Sequence, residues 1–273
     1  MSENNTNLME KGNFLIPEVI EGSFSNDDLA EDMAGLNLNF LRVKIPAGGA
    51  LQFELPGDDP EDPEYAKTIE GVILYNHSAN ALWSEDSEGD DDAAPLCSSV
   101  DGINGFGEPG GACYSCSNNL WGSGEGGKGK ACKNMRNLYL LRSGEFMPIL
   151  LSMPPTSIKP FTDFYNMAFA SRHRAAYGSV VQIGLTRKEN GNNIYSIANF
   201  KKLFDFSGEE LAQVQRYAAN FKEQIRLIIQ QRASGSANAS AEYDDEFLPV
   251  DSDGFAVSSP DGIIDGDRER IPA

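Results

Sequence analysis

The chain's only four cysteines fall inside one short window: Cys97, Cys113, Cys116 and Cys132, spaced C-x15-C-x2-C-x15-C. A central C-x2-C lets two thiolates grip one ion from a tight turn, and a flanking cysteine on each side completes a tetrahedral set. The intervening stretch, CYSCSNNLWGSGEGGKGKACK, is rich in Gly, Ser and Asn and has no apolar core of its own, so it needs a staple to stay ordered. A structural Zn2+ held by the four sulfurs is the expectation. Four protein ligands close the coordination sphere and leave no position for a catalytic water. Two disulfides, or four unrelated thiols, are the alternatives, and the disulfides fit a cytosolic chain poorly.

The same window contains a near-match to a phosphate-binding loop, which fails in both frames. Read from Gly122, the pattern G-x4-G-K ends at Lys128 and meets Gly129; read from Gly124, it ends at Lys130 and meets Ala131. Neither frame supplies the Ser or Thr hydroxyl that binds magnesium. The acidic clusters Asp58-Asp59 and Asp90-Asp91-Asp92 could hold magnesium for a nuclease, but they sit in Pro/Gly-rich loops without a rigid support. His77 and His173, the only histidines, stand apart from the cysteines. No constellation for catalysis emerges, and the chain is expected not to be an enzyme.

Net charge −19 would ordinarily argue against a nucleic-acid partner, but the charge is unevenly divided. Residues 1–96 carry 4 Lys+Arg against 21 Asp+Glu, residues 97–232 carry 16 against 10, and residues 233–273 carry 2 against 10. A basic middle of net +6 therefore lies between acidic ends of −17 and −8. Such asymmetry marks an interaction surface, and the acidic ends are candidate competitors for it.

The elements that must position these residues follow from periodicity. Residues 1–35 are polar and weakly patterned and read as a mobile arm. Residues 36–232 read as one domain: strand-like runs on either side of Gly48-Gly49, a β-rich run from Ile69 with a possible bend near His77, and the zinc loop at 95–136. A hairpin turning at Ser143-Gly144 follows, then a helix capped by Ser157. A second hairpin turns at Asn190-Gly191, and a helix with the Ser207/Glu210 capping signature runs to Arg232. Residues 233–273, opening with ASGSANASA, read as a disordered acidic tail. With 40% apolar residues a real core is possible, and the class is mainly β with two helices (α+β), an OB-like antiparallel barrel with an inserted zinc-binding loop, a generic α+β sandwich being the alternative. No opening h-region and no apolar run of membrane-spanning length is present, so no membrane partner is expected.

In the basic middle, cations and rings interleave: Trp121, Lys128, Lys130, Lys133, Arg136, Tyr139, Arg142, Lys159, Arg172, Arg174, Arg187, Lys188, Lys201 and Lys202 are the candidate contacts. Single-strand binders use this pairing, with cations on phosphates and rings on bases, irrespective of base sequence. Tyr139 also fits a core position, and a charge run can be simply a solvated face. Single-stranded DNA is the expected partner, with the tethered acidic tail competing for the same surface and recruiting other proteins. A zinc-stiffened protein–protein adaptor is the alternative.

The stretches APLCSSVDGINGFG, CYSCSNNLWGSG, GKGKACKNMRNLYLLRSGE and MPILLSMPPTSIKPF resemble a family encoded by phages and other bacterial mobile elements, some of whose members are described as single-stranded DNA-binding. The resemblance covers roughly residues 95 to 205. It implies a role in replication or recombination in the cytoplasm of a bacterial host. More loosely, a zinc loop, a basic barrel and an acidic tail are similar to the replication single-strand binder of T4-type phages, although no histidine ligand stands at a matching place here.

Overall fold

The computed structural model describes residues 14–16, 40–57, 59, 62–84, 95–191 and 193–234. In chain order the strands are β1 (Arg42–Lys44), β2 (Phe53–Leu55), β3 (Glu64–Ala66), β4 (Thr68–Leu82), β5 (Cys97–Ser99), β6 (Asn104–Gly107), β7 (Gly111–Ala112), β8 (Lys133–Leu141) and β9 (Ile149–Met153). Helix α1 (Pro155–Ala168), the hairpin β10 (Ser179–Asn190) and β11 (Asn193–Asp205), and helix α2 (Gly208–Ser234) complete the fold.

The runs VILY, LYLL and ILL in β4, β8 and β9 are apolar on both faces, the mark of strands covered on both sides. The described structure bears this out. Ile69, Ile73, Leu138, Leu140, Ile149, Leu151, Val181 and Ile183 point to one face, where Phe161, Phe164 and Ala168 of α1 seat against them. Val72, Leu74, Tyr139, Leu141, Leu150 and Val180 point to the other, against Val214, Tyr217, Ala218, Phe221 and Ile225 of α2. The i, i+3, i+4 spacing of these helix residues gives each helix one apolar stripe, and each fully buried Phe or Ile contributes roughly 1.5–3 kcal/mol.

The main sheet runs β1-β9-β8-β4-β10-β11, parallel only at β1–β9. β4 is the long central rail. One edge pairs with β8; the other is shared between β10 at Thr68–Val72 and β5 at Asn80–Leu82. The small β5-β6-β7 ladder therefore hangs from the far end of β4 and carries the cysteine loop.

The outcome differs from an OB-like barrel. Among the described strands β1 and β11 do not pair, so the sheet stays open, in a mixed α+β arrangement with a helix on each face. Strands with two apolar faces require a cover on both, whereas a small barrel leaves its outer face to water. The β1–β2 connection does reach across, and Ser196 Oγ donates to the Ala50 carbonyl at 2.6 Å.

Other expectations shift in detail. The arm at 1–35 is anchored at Phe14, which is buried against Phe206 with ring centroids 5.7 Å apart. Leu15 N donates to Ser143 Oγ and Gly144 N to the Leu15 carbonyl. Pro155, not Ser157, opens α1. Ser157 is fully buried, and its Oγ accepts from Ala198 N at 3.0 Å. The clusters at Asp58 and Asp90–Asp92 and the tail from residue 235 lie outside the described residues.

Candidate metal cavity and nucleic-acid interface

β5 delivers Cys97, the turn after β7 delivers Cys113 and Cys116, and Cys132 immediately precedes β8. All four are free thiols and line a single cavity, together with Gly105, Asn80 and Asn119. Gly105 has to be glycine here, because a Cβ at that position would stand 2.9 Å from Cys97 Sγ. Burial, then the three neighbouring sulfurs, push the Cys132 thiol up to about 11, and burial likewise raises Cys97. Four sulfur donors lining one cavity are the kind of set that a soft divalent ion would hold as thiolates. Among the described residues no group of three or more His, Cys, Asp or Glu is arranged to hold a metal ion, so the case for one rests on donor type, number and the shared cavity alone.

The anticipated cationic contacts do not form one surface. Lys128 and Trp121 are exposed on the cysteine loop, Trp121 at 82%, and Lys133 is exposed at the start of β8. Lys130 turns inward and binds asparagine side chains. Arg136 is half-buried, with its Nε donating to Asn76 Oδ1 at 2.7 Å. Arg142 pairs with Glu145, Lys159 with Asp163, Arg187 with Glu189, and both Arg174 and Lys202 with Asp205. Arg172 donates to the Met167 carbonyl, while Lys188 and Lys201 are exposed on the β10–β11 hairpin. Tyr139, expected to stack on bases, is only 6% exposed, and Phe40 and Phe221 pack edge-on against it at 5.1 and 5.3 Å.

A different cluster does form. A bulge between Ile73 and Tyr75 inserts one residue into β4 opposite β8 and turns Tyr75 and His77 onto the α2 face beside Tyr139. The three rings stack within 26° of parallel, with centroids 5.8 to 6.3 Å apart. Tyr75 and His77 are half-buried, keeping part of each ring in solvent. From α2, Lys222 Nζ and Arg226 Cζ each lie 6.0 Å from the Tyr75 centroid. Register places exposed Arg42 beside Leu150 and exposed Lys44 beside Ser152, and alternation along β8 puts Lys133 on the same face as Tyr139. Lys222 and Arg226 thus flank the aromatic stack, and Arg42, Lys44 and Lys133 share its face of the sheet. Burial lowers the His77 pKa; His77 Nδ1 stands 3.0 Å from the Ser78 carbonyl, and the Asp101 carboxylate partly opposes the shift.

Of this cluster only Lys133 and Tyr139 belong to the set anticipated from sequence. Arg42 and Lys44, two apart on a strand, and Lys222 and Arg226, four apart on a helix, each carry the spacing of one face. The bulge that recruits Tyr75 and His77 has no sequence mark. Comparison with protein-family models, curated proteins and solved structures gives no match. No described helix is long and apolar enough to cross a membrane.

Proposed function

We propose that the chain binds single-stranded DNA, with little base preference, on the α2 face of its sheet, and that a zinc ion in the four-cysteine cavity stiffens the adjoining loop. The observation that carries the reading is the Tyr75–His77–Tyr139 stack flanked by Lys222 and Arg226, on a sheet face that also carries Arg42, Lys44 and Lys133. Rings already ordered in the free protein lose little entropy on accepting a base, and base–aromatic stacking contributes roughly 1–3 kcal/mol per base. The cations follow the phosphates at any sequence. β4, β8, β9 and β1 lie side by side, and at about 4.8 Å per strand they span about 14 Å. An open sheet serves this purpose as well as an OB-like barrel, since the half-buried Tyr75 and His77 beside α2 are the rings offered to bases.

The role in phage or mobile-element replication or recombination rests on the sequence resemblance, and partner proteins recruited by the acidic tail belong to the same proposal. A fluorescence-anisotropy titration of a labelled oligothymidine tests the surface. Lys222→Glu with Arg226→Glu should weaken binding at least tenfold at low salt, the scale expected when phosphate contacts are reversed. Arg187→Glu with Lys188→Glu, on the hairpin, should change it little. The opposite ranking would move the site away from the α2 face. The adaptor reading draws on one observation, the exposure of Tyr114 (84%), Leu120 (57%) and Trp121 on the cysteine loop.

A further inference from the structure

Lys130 stands two residues before Cys132, and its half-buried side chain points into the fold. Nζ donates to Asn119 Oδ1 at 3.0 Å and to Asn134 Oδ1 at 2.8 Å. Asn134 Nδ2 donates in turn to Asn119 Oδ1 at 3.0 Å and to Asn80 Oδ1 at 2.7 Å. Asn119 Nδ2 reaches the Cys113 carbonyl at 2.8 Å. Asn80 and Asn119 also wall the cysteine cavity. The ammonium is thus held by neutral amides, and among the described residues no carboxylate pairs with it.

A half-buried ammonium held by neutral amides has no counter-charge among its hydrogen-bond partners. The missing negative charge lies next door. Four thiolates around one divalent ion carry a net charge of −2, and the field of Lys130 already opposes the upward push on Cys132. The amide network ties the Lys130 ammonium and the Cys113 turn to β4 and β8.

We propose that Lys130 is the counter-cation of the metal–thiolate centre, a positioning residue that raises metal affinity and not a phosphate contact. The proposal rests on the zinc reading above. Outer-shell partners of this kind change metal affinity by about 10–100-fold. Lys130→Met keeps the stem and removes the charge, Lys130→Arg keeps the charge, and Lys128→Met, exposed on the same loop, is the control.

Zinc content of the full-length proteins and their competition for zinc against a chromophoric chelator are measured first, then oligothymidine affinity of the zinc-loaded forms. Wild type should hold about one zinc, by the four-thiolate count. Lys130→Met should yield it to chelator at least about tenfold more readily, with Lys130→Arg largely restoring retention and Lys128→Met matching wild type. Zinc-loaded Lys130→Met should bind oligonucleotide as wild type does. A metal-free wild type would sink the zinc reading and this proposal with it. A zinc-loaded wild type with equal retention in Lys130→Met would overturn the Lys130 role alone. Unchanged zinc retention with weakened oligonucleotide binding would return Lys130 to phosphate contact. Should Lys130→Met fail to fold, Lys130→Gln, which can keep the amide contacts, carries the same comparison and outcomes.

Discussion

At the scale of single residues, chemistry is concentrated at the cysteines and at His77. Replacing Cys116 with Ser removes one donor, and metal release should raise protease cleavage within residues 95–136, read by limited proteolysis and mass mapping; an unchanged pattern would detach the loop's order from the metal. His77 adds a pH dependence. Burial depresses its pKa below the ordinary 6.5, so the unfolded chain binds the proton more tightly than the folded one. Its contribution to stability is therefore fully present above pH 6.5 and is lost as pH falls through the depressed folded value. Urea denaturation of wild type and His77→Asn between pH 7.5 and 5 should show the wild-type advantage shrinking toward acid; a constant difference would contradict this. That the four cysteines line one cavity was legible from their spacing. Lys130 was not, since a lysine among glycines has the same sequence whether it faces phosphate or two asparagines.

At the scale of elements, α2 does two jobs. Its apolar stripe covers one face of the sheet, and its Lys222 and Arg226 overhang Tyr75. Phe221 links them, lying 5.3 Å from Tyr139 at the base of the stack. Phe221→Ala should cost about 3–5 kcal/mol in denaturant titration and loosen the stack as well. Oligonucleotide affinity should then fall even under conditions where the variant remains folded; unchanged affinity would separate the helix's structural role from the platform. The hairpins at Ser143-Gly144 and Asn190-Gly191 were readable from turn chemistry, as was the amphipathic stripe of α2. Barrel closure was the wrong inference from correctly located strands, because hairpin counts say nothing about whether one face or two will be buried. The run VILY held that information, in apolar residues at successive positions. Reading β4 as bending near His77 also missed that it continues as one strand past a bulge between Ile73 and Tyr75, which brings Tyr75 and His77 beside Tyr139.

At the scale of the whole molecule, a chain of net charge −19 must concentrate its cations to hold a polyanion. In the proposed arrangement Arg42 and Lys44 join Lys133, Lys222 and Arg226 of the basic middle on one face, and residues 235–273, which carry −8, compete with DNA. Deleting them should tighten oligonucleotide binding most at low salt, with the gain shrinking as salt shortens the Debye length from about 30 Å at 0.01 M to about 8 Å at 0.15 M; equal affinity across the series would assign the tail to solubility or partner capture. The central claim is the location of the platform, and the most direct measurement is photo-crosslinking of a bromodeoxyuridine-substituted single strand to the full-length zinc-loaded protein, with the adducts mapped by mass spectrometry. Adducts at Tyr75 and His77, suppressed by excess unlabelled single strand more than by duplex, are the predicted result. Adducts confined to Trp121 and Tyr114, or to the β10–β11 hairpin, would contradict it.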